Sequence, residues 1–242
     1  MASHPADRPA PPSAWRTRTS SVLTALAHGS APFITTFLFV HLTAPTAANI
    51  GGSAGSSRVM MLGREYYQTV FGERYLVFGP LLVHTTSALL KRLFSSPRPP
   101  RPLSSALSVT GYASALLFLP IHVIIHRFAP PSSIPPLNPS ELDYEYVKTA
   151  LHGWPVRSTV LYAVLVLGVA LHAADGLGVI WSTWAPKVTK LPGRRARRAL
   201  AGAAMLPVLT GLVVIAREPL YAFSFTVARY RDSLAHSFVY RL

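Results

Sequence analysis

The sequence has no cysteine among its 242 residues. Disulfides, thiolate-ligated iron–sulfur clusters and thioether-linked haem are therefore excluded. Acids are scarce as well: nine Asp and Glu stand against 23 Lys and Arg, for a formal charge of +14. Only 13% of residues are charged while 50% are hydrophobic, too apolar a balance for a soluble domain. A basic excess of this size can signal nucleic acid. Here the cations flank apolar runs, so topology and anionic headgroups account for them and nucleic acid is not an expected partner. A short apolar run followed by a small-residue cleavage site is also missing, so no cleavable signal peptide is expected. No internal repeat is evident.

What remains is long apolar blocks. They predict an all-α integral membrane bundle of five spans, at about 22–44, 75–94, 107–128, 158–184 and 199–216. Residues 1–20 read as a disordered Pro-rich tail. GGSAGSS and the segment to Arg74 read as a polar first loop, with Tyr66 and Tyr67 at the interface. SSPRPPRP is a stiff basic second loop that cannot continue a helix. The third loop, Ala129 to Pro155, is expected to hold a short surface helix capped by Ser140. GRRARR lies in a cationic fourth loop, and residues 219–242 alternate aromatics and cations like a tail at headgroup level. The N-tail, second and fourth loops carry 13 Lys and Arg with one acid, Asp7, against ten cations and seven acids on the other face. That bias places the N-terminus on the cytosol-like side.

Span four, STVLYAVLVLGVALHAADGLGVIWSTW, holds His172 and Asp175 near its middle. Intramembrane ionisable groups are costly and point to function. Gly168 and Gly176 stand one turn to either side of His172, leaving a flat face for a macrocycle or a closely packed helix. At a rise of about 1.5 Å per residue, His41 lies roughly 28 Å from the N-terminal face and His122 roughly 24 Å. His84 falls at roughly 13 Å and His172 at roughly 18 Å. Four histidines on four helices thus sort into two pairs, His41 with His122 and His84 with His172. Bis-imidazole ligation of two stacked b-type haems requires such pairing. Arg92 is placed to meet haem propionates. Asp175 can orient an imidazole or bond a neighbouring helix, and one histidine in a span equally serves a helix–helix hydrogen bond.

HTTSALLKR from His84, LHAADGLGVIW, HVIIHRFAP and FLFVHL resemble the membrane subunit of di-haem fumarate reductases, and more loosely the succinate dehydrogenase anchors. That resemblance implies haem ligands at His41, His84, His122 and His172. It also implies electron transfer to a quinone beside flavoprotein and iron–sulfur partners. GREYYQ with Glu73, the TGY opening of span three, HVIIHR, LDYEYVK and HAADG more closely resemble the fungal mitochondrial Mcp-type adapter family. This second resemblance implies a non-enzymatic outer-membrane protein of mitochondria acting in lipid homeostasis. Its expected partner is a bridge-like lipid-transfer protein of the VPS-thirteen type, recruited through a Pro-x-Pro peptide. The candidates are Pro9 with Pro11 and Pro97 with Pro99.

Overall fold

The computed structural model describes residues 14–94, 101–187 and 190–241. The Pro-x-Pro candidates Pro9, Pro11, Pro97 and Pro99 lie outside these. The described residues are helical throughout, with turns between and no strand, because a backbone crossing lipid must satisfy its polar groups internally.

The helical stretch Ala14–Tyr67 is two helices, α1 (14–51) and α2 (53–67), joined at Gly52, whose φ of 59° and ψ of −158° are not helical. In one straight helix Phe37 and Tyr67 would be about 45 Å apart, yet their rings lie 5.4 Å apart. A Cβ on Gly63 would come 3.3 Å from the Val40 side chain, and one on Gly55 would come 3.5 Å from the Ala47 carbonyl oxygen. The chain therefore reverses at one residue, and α2 runs back along α1. The Gly/Ser run expected as a loop is helical instead, since only Gly52 is needed to turn the chain.

A π-helical turn, Gly72–Phe78, continues this return leg into α3, Gly79–Phe94. α4 spans Ala106–Ser132, with π-helical turns at Ser114–Phe118 and Ile124–Phe128. Then come α5 (Tyr144–Gly153), α6 (Pro155–Trp184), α7 (Arg194–Arg217), α8 (Ser224–Ala235) and α9 (Phe238–Arg241). The α5 cap is Asp143, whose Oδ1 accepts the Glu145 N–H at 2.8 Å. Ser140, the expected cap, lies in a separate 3₁₀ turn, Pro139–Glu141, which ends at extended Leu142. The GRRARR arginines are not loop either; they open α7 behind Gly193.

Four helical stretches are long and apolar enough to cross a membrane: Ala14–Tyr67, Ala106–Ser132, Pro155–Trp184 and Arg194–Arg217. α3 antiparallels α1, with Lys91 Nζ donating to Thr24 Oγ1 at 2.6 Å and the Trp15 and Phe94 rings 6.5 Å apart. α7 runs parallel to α1, with Gly211 against Pro45 and, seven residues on in each, Glu218 against Gly52; the Asn49 side chain reaches back one turn. A Cβ on Gly211 would lie 1.9 Å from the Pro45 carbonyl oxygen, and Asn49 Nδ2 donates to the Pro207 carbonyl at 2.7 Å. α6 packs on α7, and α4 on α6. The neighbour order is thus α3–α1–α7–α6–α4. Buried apolar residues gather at the end opposite Ala14, in one cluster around Ile125, Tyr146, Leu234 and Tyr240 and another around Ala48, Tyr144, Tyr162 and Ile215. Toward the bundle's outside Leu82, Leu116 and Leu206 are exposed, as lipid-facing positions are.

Candidate functional site

The histidines meet across the middle of the bundle at two levels. Nearer the N-terminal face, α3 brings His84 to His172 of α6, with ring centroids 6.0 Å apart and planes at 85°. His84 Nδ1 lies 2.8 Å from the Ala27 carbonyl oxygen and 3.3 Å from Ser30 Oγ. His172 Nδ1 lies 3.2 Å from the Leu107 carbonyl oxygen. A carbonyl oxygen only accepts, so in each ring Nδ1–H donates and the Nε2 lone pair is left for another partner. Gly111, in the TGY motif, makes room for the His172 ring: a Cβ there would be 2.7 Å from both Cε1 and Nδ1. Gly168 has a different job from the expected open face, because a Cβ there would be 2.8 Å from Ser114 Oγ of α4. Beside Gly176 nothing lies within 4 Å of such a Cβ. Arg92 places its guanidinium 5.8 Å from the centre of the Tyr112 ring, one residue beyond Gly111.

The other level joins His41 of α1 to His122 of α4, again at 6.0 Å and with planes at 84°. Aromatic groups crowd it. Phe37 stacks on His41 at 5.2 Å, Tyr67 meets it edge-on at 5.7 Å, and His126 lies 4.6 Å from His122. The Tyr162 hydroxyl is 3.1 Å from His126 Nε2, while buried His41 Nδ1 has no hydrogen-bond partner. His28 accepts the Trp184 Nε1–H at 2.8 Å.

A metal–imidazole bond is about 2 Å long. The ring centre lies about 1 Å behind the nitrogen, so two imidazoles opposed on one metal have centres about 6 Å apart. Both pairs have that separation, which is equally that of an ordinary edge-on aromatic contact. At His84 and His172 the donor set also fits in a second respect, since carbonyl acceptors fix the tautomer that ligation needs.

Asp175, one turn past His172, bonds the neighbouring helix. Its carboxylate accepts from Arg198 Nε at 3.0 Å and Nη2 at 2.6 Å, and from Arg194 at 3.4 Å through the same two atoms. Arg197 Nε donates to the Ala174 carbonyl at 3.1 Å. Cations at a helix N-terminus oppose its dipole, and Asp175 supplies the compensating charge for α7.

A second constellation caps the face opposite Ala14, where only the LDYEYVK motif gave a signal. Lys148 Nζ is fully buried and pairs with Glu145, with Glu218 at 3.5 Å, with the Pro219 carbonyl at 2.8 Å and with the Tyr221 ring at 4.1 Å. Glu145 Oε2 accepts the Tyr221 and Ala222 amides at 2.9 and 3.1 Å. Both Glu218 oxygens accept the Ser53 N–H at 3.1 Å, capping α2 just past the Gly52 reversal. The C-terminal tail folds back here as α8 and α9. Tyr146 Oη donates to the Ile125 carbonyl at 3.0 Å and lies 3.1 Å from Ser233 Oγ, and Arg229 pairs with Glu141. The Arg229 hydrogen bond holds the Glu141 carboxyl below the usual range. Burial pushes Asp143 up. Burial would raise Glu218 too, but the Ser53 hydrogen bonds and the Lys148 charge bring it below its ordinary value. Glu73, from the segment after GREYYQ, meets Arg127 of HVIIHR through both carboxylate oxygens. An open cleft of about 500 Å³ beside Asp143, Glu145, Tyr221 and Tyr230 completes this face.

Residues 117–219 match the family model described as the MDM10-complementing protein 1 transmembrane domain. The match takes in His122, His126, Lys148, His172, Asp175, Gly211 and Glu218. No curated protein and no solved structure matches the chain.

Proposed function

We propose that the chain is a multi-pass mitochondrial outer-membrane protein of the MDM10-complementing type, a non-enzymatic adapter in lipid homeostasis. The match of residues 117–219 to that transmembrane model carries the reading. In it, the return leg through α3 is the fifth span beside the four long apolar helices, and the chain ends lie on opposite faces. The excess of Lys and Arg puts the N-tail and second loop on the cytosolic side. The peptides around Pro9 and Pro11 and around Pro97 and Pro99 then face a bridge-like lipid-transfer protein of the VPS-thirteen type. The test is expression in fungal cells lacking MDM10. Targeting to mitochondria and restored mitochondrial shape are expected. Substituting the four prolines by alanine should abolish recruitment of the lipid-transfer protein. Correctly targeted protein that neither restores shape nor recruits the partner would overturn the reading.

The opposed imidazoles favour a second reading of the scaffold, as a haem b carrier. A haem held there would supply one-electron transfer. His84 and His172 would offer Nε2, the Ala27 and Leu107 carbonyls would orient the rings, and Arg92 would meet a propionate. Extended to the fumarate reductase type, that chain would anchor flavoprotein and iron–sulfur subunits and pass electrons to a quinone. Co-purification with such subunits, and reduction by a quinol, are the measurements that separate it from the adapter reading.

A further inference from the structure

We propose that the chain holds one haem and not two: the macrocycle is seated between His84 and His172, and the His41–His122 level is a closed aromatic cluster. The proposal rests on the haem reading above and narrows it. Both pairs have rings 6.0 Å apart, so ring separation does not distinguish them. Their surroundings do.

The first difference is how the rings are held. A ligating histidine gives its distal N–H to a fixed acceptor, which sets both tautomer and ring direction. His84 has the Ala27 carbonyl and His172 the Leu107 carbonyl for this. His41 has a buried Nδ1 with no partner. On a neutral imidazole one nitrogen always keeps a lone pair, but at His41 no acceptor fixes which nitrogen that is or where the ring points.

The second difference is what flanks the rings. Around His84 and His172 the helices present small residues. Gly111 touches the His172 ring and Ser30 touches His84. Around His41 and His122 the helices present Phe37, Tyr67, His126 and Tyr162, all with ring centroids within 6.4 Å of one of the two imidazoles. The cavity touching His122 and His126 is about 10 Å³, space for a single water. A porphyrin at this level would have to displace four rings, among them a tyrosine hydrogen-bonded to His126.

The third difference is charge. A haem brings two carboxylates that need cations. Arg92 lies over the ring of Tyr112, the residue that follows Gly111 in α4. At the other level Arg127 already spends two N–H groups on Glu73.

The test is haem stoichiometry of the full chain, expressed with haem supplied, purified in detergent and assayed by pyridine haemochromogen against protein mass. One haem per chain is expected, with a low-spin Soret spectrum. His84→Ala and His172→Ala should each remove the whole band, and His172→Gly should regain it when free imidazole is added, which a merely structural role would not allow. His41→Gln and His122→Gln should keep the full haem content per chain. Circular dichroism and gel-filtration elution matching the parent protein establish that each variant is folded. Two haems per chain, or half the band surviving His84→Ala, would overturn the single-site proposal while leaving the haem reading intact. Folded protein without any Soret band would overturn the haem reading and this proposal with it.

Discussion

Lys148 is the most consequential cation in the described chain. Its side chain is 0% exposed and its partners Glu145 and Glu218 are 12% and 21% exposed. In Lys148→Met the volume is nearly kept, but two carboxylates lose their counter-charge beside each other. Removing one member of a buried ion pair costs about 3–5 kcal/mol. The partial exposure of both glutamates lets water relieve part of this, which puts the expected loss near the lower end, about 3 kcal/mol. For a chain of this size that is a fall in Tm of about 6–12 °C. The assay is thermal unfolding in detergent, followed by intrinsic fluorescence, with limited proteolysis reporting on α8 and α9. The double variant Lys148→Met/Glu145→Gln should recover at least half of the loss, because one stranded charge has gone. A Tm for Lys148→Met within about 2 °C of the parent would refute the reasoning, since about 1 kcal/mol or less is what an exposed pair contributes. So would a double variant no better than the single one.

Gly211→Ala should destabilise by about 1–3 kcal/mol through overpacking, because the new Cβ would meet the Pro45 backbone at 1.9 Å. Gly202→Ala, with nothing within 4 Å, is the matched control and should be neutral or mildly stabilising; equal Tm values for the two variants would contradict the parallel α1–α7 contact. Asp175→Asn removes the anion that Arg194 and Arg198 share, so trypsin should cut faster within 194–198 while the Lys148 cap is unaffected. Acidification should loosen the cap. Glu141 and Glu218 have depressed carboxyls, so their contribution is present above the unfolded glutamate value, about pH 4.3, and is lost as pH falls through the lower folded values. Asp143 is raised and works oppositely: its contribution is complete below about pH 3.9 and fades as pH rises through its folded value. Faster proteolysis of residues 219–241 below about pH 4 checks the balance.

Much of the architecture is legible because lipid imposes a simple rule on composition. Apolar runs had to be helices, and spans four and five are found as α6 and α7, beginning at Pro155 and Arg194, a few residues before the expected starts. Depth counting from helical rise brought His84 to His172 and His41 to His122, since rise per residue is a property of the backbone and not of its neighbours. The helix 53–67 was illegible. Ser53, Gly55, Ser56 and Ser57 are poor helix formers in isolation, and tertiary packing against α1 overrides that preference. The tail divides its aromatics, with Phe223, Phe225 and Phe238 exposed. Tyr230 and Tyr240 instead enter a protein core with Tyr146 and Leu137. Ser140 lost the capping role to Asp143 because Asn138 and Glu141 close their own turn first. Lys148 carried no periodic signal at all, since its three counterparts come from segments 3, 70 and 73 residues away in sequence.

The bond from Ser53 to Glu218 closes a separation of 165 residues. Its consequence belongs to biogenesis. At about 5–20 residues per second, a ribosome needs roughly 8–33 s after emitting Ser53 before Glu218 exists. Through that interval the tip of the first hairpin is exposed with its leading amide uncapped, and α7 is not yet there to receive Pro45 against Gly211. Until then that amide is left to water or headgroups, and among the described spans the last to be made is the one that locks the first.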